Sequence, residues 1–153
     1  TLMCLQWLEK QNLSDKTIID YGCGSGILGI SAIALGAQKV IAIDNDPLAI
    51  SATQENAAKN GIKQKQLFCY PPEMLPQDIQ SDILIANILA KPLYELASHF
   101  KKLTKSRGII CLSGMLDTQI PYVQKGYENE FQFKKSIITE DWALIEGTKN
   151  DSE

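Results

Sequence analysis

Three glycines at every second position, Gly22, Gly24 and Gly26, follow directly on Asp20 and Tyr21. An apolar stretch, Thr17-Ile18-Ile19, runs into them, and another leaves them at Ile27. Residues without a Cβ let a backbone turn tightly and let a ligand approach the main chain. The carboxylate beside them speaks against a pure phosphate site, because it repels phosphate. It suits a ligand that carries positive charge, and S-adenosylmethionine, with its amino group and sulfonium, is one. On this reading Asp20, Gly22, Cys23, Gly24 and Gly26 form the first part of a cofactor site.

Three further features fall at the ends of apolar, strand-like runs. Asp44 ends Val40-Ile41-Ala42-Ile43, where an acid can accept hydrogen bonds from both hydroxyls of a ribose. The Cys69-Tyr70 pair ends a short third run and is expected to flank an adenine. Asn87 ends Ile83-Leu84-Ile85-Ala86 and is followed by Ile88-Leu89-Ala90-Lys91-Pro92. All are expected to face one crevice, with Asn87 at the reacting group.

Other readings of these residues exist. Gly24-Ser25-Gly26-Ile27-Leu28-Gly29 matches G-x-G-x-x-G, and Asp44 lies about 20 residues on, as in a dinucleotide fingerprint for NAD. Against this, four residues from Asp20 to Cys23 separate the strand from the first fingerprint glycine. Asp20 would also stand near a pyrophosphate. A non-catalytic cofactor-binding module is a third class. Singly, Asp20 could cap a strand, Asp44 could start the Asn45-Asp46-Pro47 turn, and Asn87 could be a helix N-cap. Trp7 and Trp142 read as packing residues, His99 as a helix-surface residue. Lys101, Lys102, Lys105 and Arg107 read as a solvated face.

The elements that must carry these loops alternate. Leu2 to Leu8 reads as a short apolar-faced helix, Thr17 to Asp20 as a strand, and Ile27 to Leu35 as a helix closed by Gly36. Lys39 to Ile43 is a strand, and Asp46-Pro47 opens a helix that runs to about Asn60. Strands follow at Gln66 to Cys69, Asp82 to Ala86 and Ile109 to Ser113. Helices are expected over Leu93 to Leu103 and Pro121 to Tyr127. Phe131 to Ile138 and Trp142 to Glu146 read as closing, antiparallel strands. Such alternation means an α/β domain, a mostly parallel sheet with helices on both faces. Residues 1–149 form that domain, and 150–153 a polar tail.

Composition narrows the classes. The 153 residues are 44% hydrophobic and 22% charged, enough apolar content for a buried core. Net charge is −3, so no basic face favours direct nucleic-acid binding. Four scattered cysteines, no CxxC and one histidine give no zinc spacing, and they read as reduced thiols of a cytoplasmic protein. No apolar run reaches membrane-spanning length, and no signal peptide is visible. The chain opens at Thr1 rather than Met, as a fragment would.

Several segments together resemble one family. These are Thr1-Leu2-Met3-Cys4-Leu5-Gln6-Trp7-Leu8, Ile19 through Leu28, Ile43-Asp44-Asn45-Asp46-Pro47, Ala86-Asn87-Ile88-Leu89-Ala90 and Leu112-Ser113-Gly114. They are similar to the PrmA family, bacterial methyltransferases of ribosomal large-subunit protein eleven, over nearly the whole chain through Glu140-Asp141-Trp142. The glycine loop alone indicates a class I methyltransferase; Asn-Ile-Leu-Ala with Leu-Ser-Gly is more specific. The resemblance implies a Rossmann-like sheet of seven strands with an antiparallel member. It implies S-adenosylmethionine as cofactor, and lysine and N-terminal amines of a ribosomal protein as acceptors. Its binding positions carry over to Thr1, Gly22, Asp44 and Asn87. It also implies a preceding substrate-recognition domain that this chain lacks. A monomer is expected.

Overall fold

The computed structural model describes residues 1–151. Its elements run α1 (Leu2–Glu9), β1 (Thr17–Tyr21), α2 (Ile27–Ala34), β2 (Lys39–Ile43), α3 (Pro47–Lys59), β3 (Leu67–Tyr70) and β4 (Ser81–Asn87). Then come α4 (Ala90–Glu95), α5 (Ala97–Leu103), β5 (Thr104–Leu116), α6 (Ile120–Gln124), β6 (Phe131–Phe133), β7 (Ile137–Thr139) and β8 (Trp142–Lys149). The sheet order is β3-β2-β1-β4-β5-β8-β6, with β7 also on β8. The first five strands are parallel; β8 runs antiparallel between β5 and the β6 and β7 segments.

Why the strands read as near-continuous apolar runs is visible in their packing. Alternate residues of a strand point to opposite faces, and here both faces are covered. Ile19, Leu84, Ile110 and Leu112 pack under Phe100, Leu103 and Tyr127 on the side of α4, α5 and α6. Ile18, Ile83, Ile85 and Cys111 pack under Trp7, Leu8, Leu28 and Ala32 on the side of α1 and α2. The buried Tyr127 hydroxyl donates to the Leu93 carbonyl at 2.6 Å, so its polar end is satisfied within the apolar layer.

The strand order reverses at β1, with β2 on one side and β4 on the other. Ligands of open parallel sheets bind outside the carboxyl ends of the strands at such a point. β2 and β4 bring Asp44 and Asn87 there, and Asp20 lies near the same end of β1.

Three elements differ from the sequence expectation in extent. The run Phe131 to Ile138 forms two pieces on one edge of β8. Their registers differ by one residue, because Lys134 to Ser136 bulge between the Phe133–Gly147 and Ile137–Leu144 pairs. The sheet thus counts eight strands where seven were expected. The helix expected over Leu93 to Leu103 starts at Ala90 and breaks into two at Leu96 (φ −87°, ψ 2°). The start of the tail is held in place: Asn150 donates its N–H to the Glu130 carbonyl at 2.8 Å, and Asp151 pairs with Arg107. Residues 152 and 153 lie outside the described chain.

Candidate active site

The glycine loop leaves β1 at Tyr21 and enters α2 at Ile27. Gly22, Gly24 and Gly26 all take positive φ, at 80°, 54° and 87°. Gly26 packs against Thr53, whose Cγ2 and Oγ1 a Cβ would meet at 2.7 and 2.9 Å, and Gly22 is as tightly placed. A Cβ there would stand 2.7 Å from Cγ2 of Ile88, so a larger residue would displace the loop after β4. The loop is fastened from α3 by two residues one helical turn apart. Thr53 Oγ1 donates to the Gly24 carbonyl at 3.1 Å and approaches Cys23 Sγ at 3.3 Å; Asn56 Nδ2 donates to the Ser25 carbonyl at 2.8 Å. Sequence reasoning missed both. Their signal was two polar residues at helical spacing behind the Asp46-Pro47 start. That start forms as expected, with Asp46 Oδ1 accepting the Leu48 N–H.

Asp44 ends up at the crevice as expected. Its Oδ2 accepts the Gly24 N–H at 3.0 Å and its Oδ1 the Asp46 N–H at 2.9 Å. Each oxygen keeps a second lone-pair position, so the carboxylate is aimed and still able to accept two hydroxyls of a vicinal diol.

Asp20 is placed differently from the sequence expectation. It is only 1% exposed and lines neither cavity at the end of β4; its Oδ2 accepts the Gly29 N–H of α2 at 3.2 Å. It sits beneath the loop rather than in the crevice, because Gly29 leaves room for the close approach of α2 to β1 and β2. Burial pushes its carboxyl up to about 7, against the lowering effect of the Gly29 N–H. A direct contact between Asp20 and a cationic ligand is therefore not what this geometry offers. Cys23 is likewise buried, and burial pushes its thiol up to about 12, so it supplies backbone only. Cys69 and Tyr70 line a separate cavity between α3 and β3. Tyr70 serves the crevice through its carbonyl, which accepts the Asp44 N–H at 3.2 Å.

Two cavities flank the end of β4. One, of about 530 Å³, is lined by Tyr21, Gly22, Asp44, Asn45, Pro72 and Ile88 among others. The second, of about 400 Å³, is lined by Thr1, Leu2, Asn87, Gly114, Glu140 and Trp142 among others. Asn87 lines one and Ile88, the next residue, lines the other. Both volumes suit a small ligand or a long side chain. Asn87 is not a helix cap, since α4 starts only at Ala90. Its Nδ2 instead donates to Thr1 Oγ1 at 3.3 Å.

The loop after β4 is pinned to β5. The Ile88 N–H donates to the Ser113 carbonyl at 3.0 Å. Gly114 (φ 95°) lies against Ile88 so closely that a Cβ would meet its backbone C and N at 2.9 Å. Gly114 is also where the β5–β8 pairing shifts register. Of the predicted residues, Gly22 and Asp44 share the first cavity and Thr1 and Asn87 the second. Gly24 and Gly26 shape the loop between β1 and α2.

No helix among the described residues is long and apolar enough to cross a membrane. The chain is 48% identical to the ribosomal protein L11 methyltransferase of Vibrio parahaemolyticus over 97% of its own length and 50% of that protein's. The chain thus spans about half the length of the curated relatives it matches. It superposes on the ribosomal protein L11 methylase of Lactobacillus delbrueckii subsp. bulgaricus with a TM-score of 0.88 at 30% identity, covering 98% of this chain and 79% of that one. The magnesium protoporphyrin IX methyltransferase of Synechocystis, solved with bound SAH, shares the fold at 17% identity. Its TM-score is 0.75, over 97% of this chain and 81% of that one. The family model for ribosomal protein L11 methyltransferase (PrmA) matches residues 1–150, and the chain belongs to that family.

Proposed function

We propose that this chain is the catalytic part of an S-adenosylmethionine-dependent protein N-methyltransferase that modifies amines of ribosomal protein L11. The observation that carries this reading is the junction at Asn87-Ile88: a cavity edged by Asp44 and Gly22 opens on one side, and one edged by Asn87 and Gly114 on the other. The residues fit the cofactor. Asp44 offers two acceptor positions to a ribose, and Gly22 lines the same cavity. Thr1, Gly24, Gly26 and the backbone of Cys23 complete the binding set; Asp20 supports it from below.

When bound, S-adenosylmethionine supplies a methyl group on a sulfonium that is already a good leaving group. What remains for the protein is positioning and exclusion of water. Thr1 holds the amide nitrogen of Asn87, which leaves the Oδ1 carbonyl to accept an N–H of the acceptor amine. The amine must be neutral to attack, whereas a free lysine has a pKa of about 10.4. Leu2, Met3 and Trp142 wall the second cavity, and apolar surroundings favour the neutral form. Asn87 cannot take the proton itself at neutral pH.

A ribosomal protein as substrate accords with a cytoplasmic enzyme. The absence of direct nucleic-acid binding accords with the net charge of −3, and the reading takes the chain as a monomer. Calorimetric titration of S-adenosylhomocysteine and NADH tests the cofactor: binding of NADH alone selects an oxidoreductase. Transfer of labelled methyl from S-adenosylmethionine to purified ribosomal protein L11 tests the activity. Tight cofactor binding without transfer to any amine would leave a binding module in its place.

A further inference from the structure

The cavity beside Asn87 carries a feature that amine methylation alone does not require. Among the described residues, Glu140 is the only ionisable side chain that lines it. The rest of the wall is apolar or small, from Leu2, Met3, Trp142 and Gly114, with the hydroxyls of Thr1, Ser113 and Thr139. Trp142 is 49% exposed and Leu2 66%, so broad apolar surface lies open beside a single carboxylate.

Glu140 is also held where a glutamate is costly. It stands in the two-residue connection between the paired Thr139 and Trp142 and takes a φ of 58°. Glycine or asparagine adopts that backbone more readily. A two-residue hairpin connection calls for such a backbone, so what sets Glu140 apart is its place on the cavity wall. The connection is fixed to the site's other wall as well: the Asp117 N–H donates to the Asp141 carbonyl at 2.8 Å, where β5 ends.

We infer that Glu140 is a specificity-determining residue that recruits the acceptor as a primary alkylammonium on an unbranched stem, a lysine side chain. This rests on the amine-methylation reading above. The carboxylate attracts the charged head. Leu2, Met3 and Trp142 take the methylene stem, and Asn87 receives the nitrogen at the far end. The attraction also offsets the repulsion between an arriving ammonium and a sulfonium in the neighbouring cavity. A carboxylate near an amine favours its charged form, so Glu140 helps capture more than it helps attack. Its loss therefore falls on KM rather than on kcat.

The test compares wild type with E140Q and E140K, using Nα-acetyl-lysine amide as acceptor and Nα-acetyl-norleucine amide as the uncharged control. With E140Q, KM for the lysine compound is expected to rise about tenfold, in the range of one lost charge-assisted hydrogen bond. E140K raises it further, kcat at the high-pH plateau stays within about twofold, and the pH profile of kcat moves to lower pH as the amine deprotonates more easily. Affinity for S-adenosylhomocysteine is unchanged in all three. Unchanged KM in both variants overturns the inference. Where wild type transfers no methyl, the indole resonance of Trp142 still decides, titrated with each amide in the presence of S-adenosylhomocysteine. A preference for the lysine compound that vanishes in E140Q supports the role of Glu140 while the methylation reading falls. Equal response to both amides overturns the inference.

Discussion

Asn87 Nδ2 donates to Thr1 Oγ1 at 3.3 Å, so the residue that ends β4 is tied to the one that caps α1. The two are 86 positions apart in the chain, and both line the second cavity. An amide held by its nitrogen presents its carbonyl in one direction. Asn87→Ala removes that carbonyl, and turnover is expected to fall about 100-fold, the order of loss for a mispositioned reactant. Thr1→Val keeps the volume and frees the amide to rotate, so a smaller fall is expected. Steady-state methylation of ribosomal protein L11 measures both, and unchanged turnover in Asn87→Ala would sink its assignment.

Asp44 makes a second, independent prediction. Its carboxylate arranges the loop through Gly24 and Asp46 and offers its remaining lone pairs to the ribose. Asp44→Ala is expected to weaken S-adenosylhomocysteine binding about 10- to 100-fold, since hydrogen bonds to a charged group contribute about 1.5–3 kcal/mol. Isothermal titration of the two proteins gives the ratio. Equal affinities count against the ribose role.

What the residues reveal in the sequence depends on how local their task is. Asp44, Gly22 and Asn87 end strands, and a strand end is set by a few neighbouring residues, so each is legible. Asp20 is not. Whether its carboxyl faces a ligand or a helix depends on how near α2 packs, and that depends on Gly29 and Val40 meeting across the layer. Thr53 and Asn56 are hidden for the same reason: they sit on a helix whose approach to the loop is a tertiary fact. Strand limits fail where pairing continues past the apolar run. β5 extends from Thr104 to Leu116 because β4 and β8 offer partners along it, while Lys134 to Ser136 interrupt the run on the other edge of β8. Glu140 shows no pattern of its own, and only the hairpin brings it beside Asn87.

Gly114 predicts a link between stability and catalysis. A Cβ added there would press on the Ile88 backbone carbonyl and on its C and N at 2.9 Å, none of which can swing aside. Its φ of 95° also disfavours any side chain. Gly114→Ala is expected to cost about 1–3 kcal/mol of stability. It should lower turnover more than cofactor affinity, because Asn87 directly precedes the displaced Ile88. Denaturant unfolding, with kcat and cofactor affinity measured on the folded fraction, separates these effects. A variant with full turnover would show that the Ile88–Gly114 contact does not position the loop.

Asp20 gives the prediction with a sign to work out. Unfolded, its carboxyl titrates near 3.9. Folded, burial raises it to about 7. Below about pH 4 it is neutral in both states, and its contribution to stability is complete. As pH rises from there, the unfolded chain ionises and the folded one does not, so stability falls until about pH 7 and then levels off. A shift of this size corresponds to roughly 4 kcal/mol over the window. Asp20→Asn keeps an oxygen to accept the Gly29 N–H and removes the charge. The variant is therefore expected to lose less stability than wild type between pH 5 and pH 8, by a few kcal/mol. Urea unfolding of both proteins at the two pH values gives the difference directly. Parallel losses would mean that Asp20 is ionised in the folded protein and that its buried charge is compensated by a partner other than Gly29.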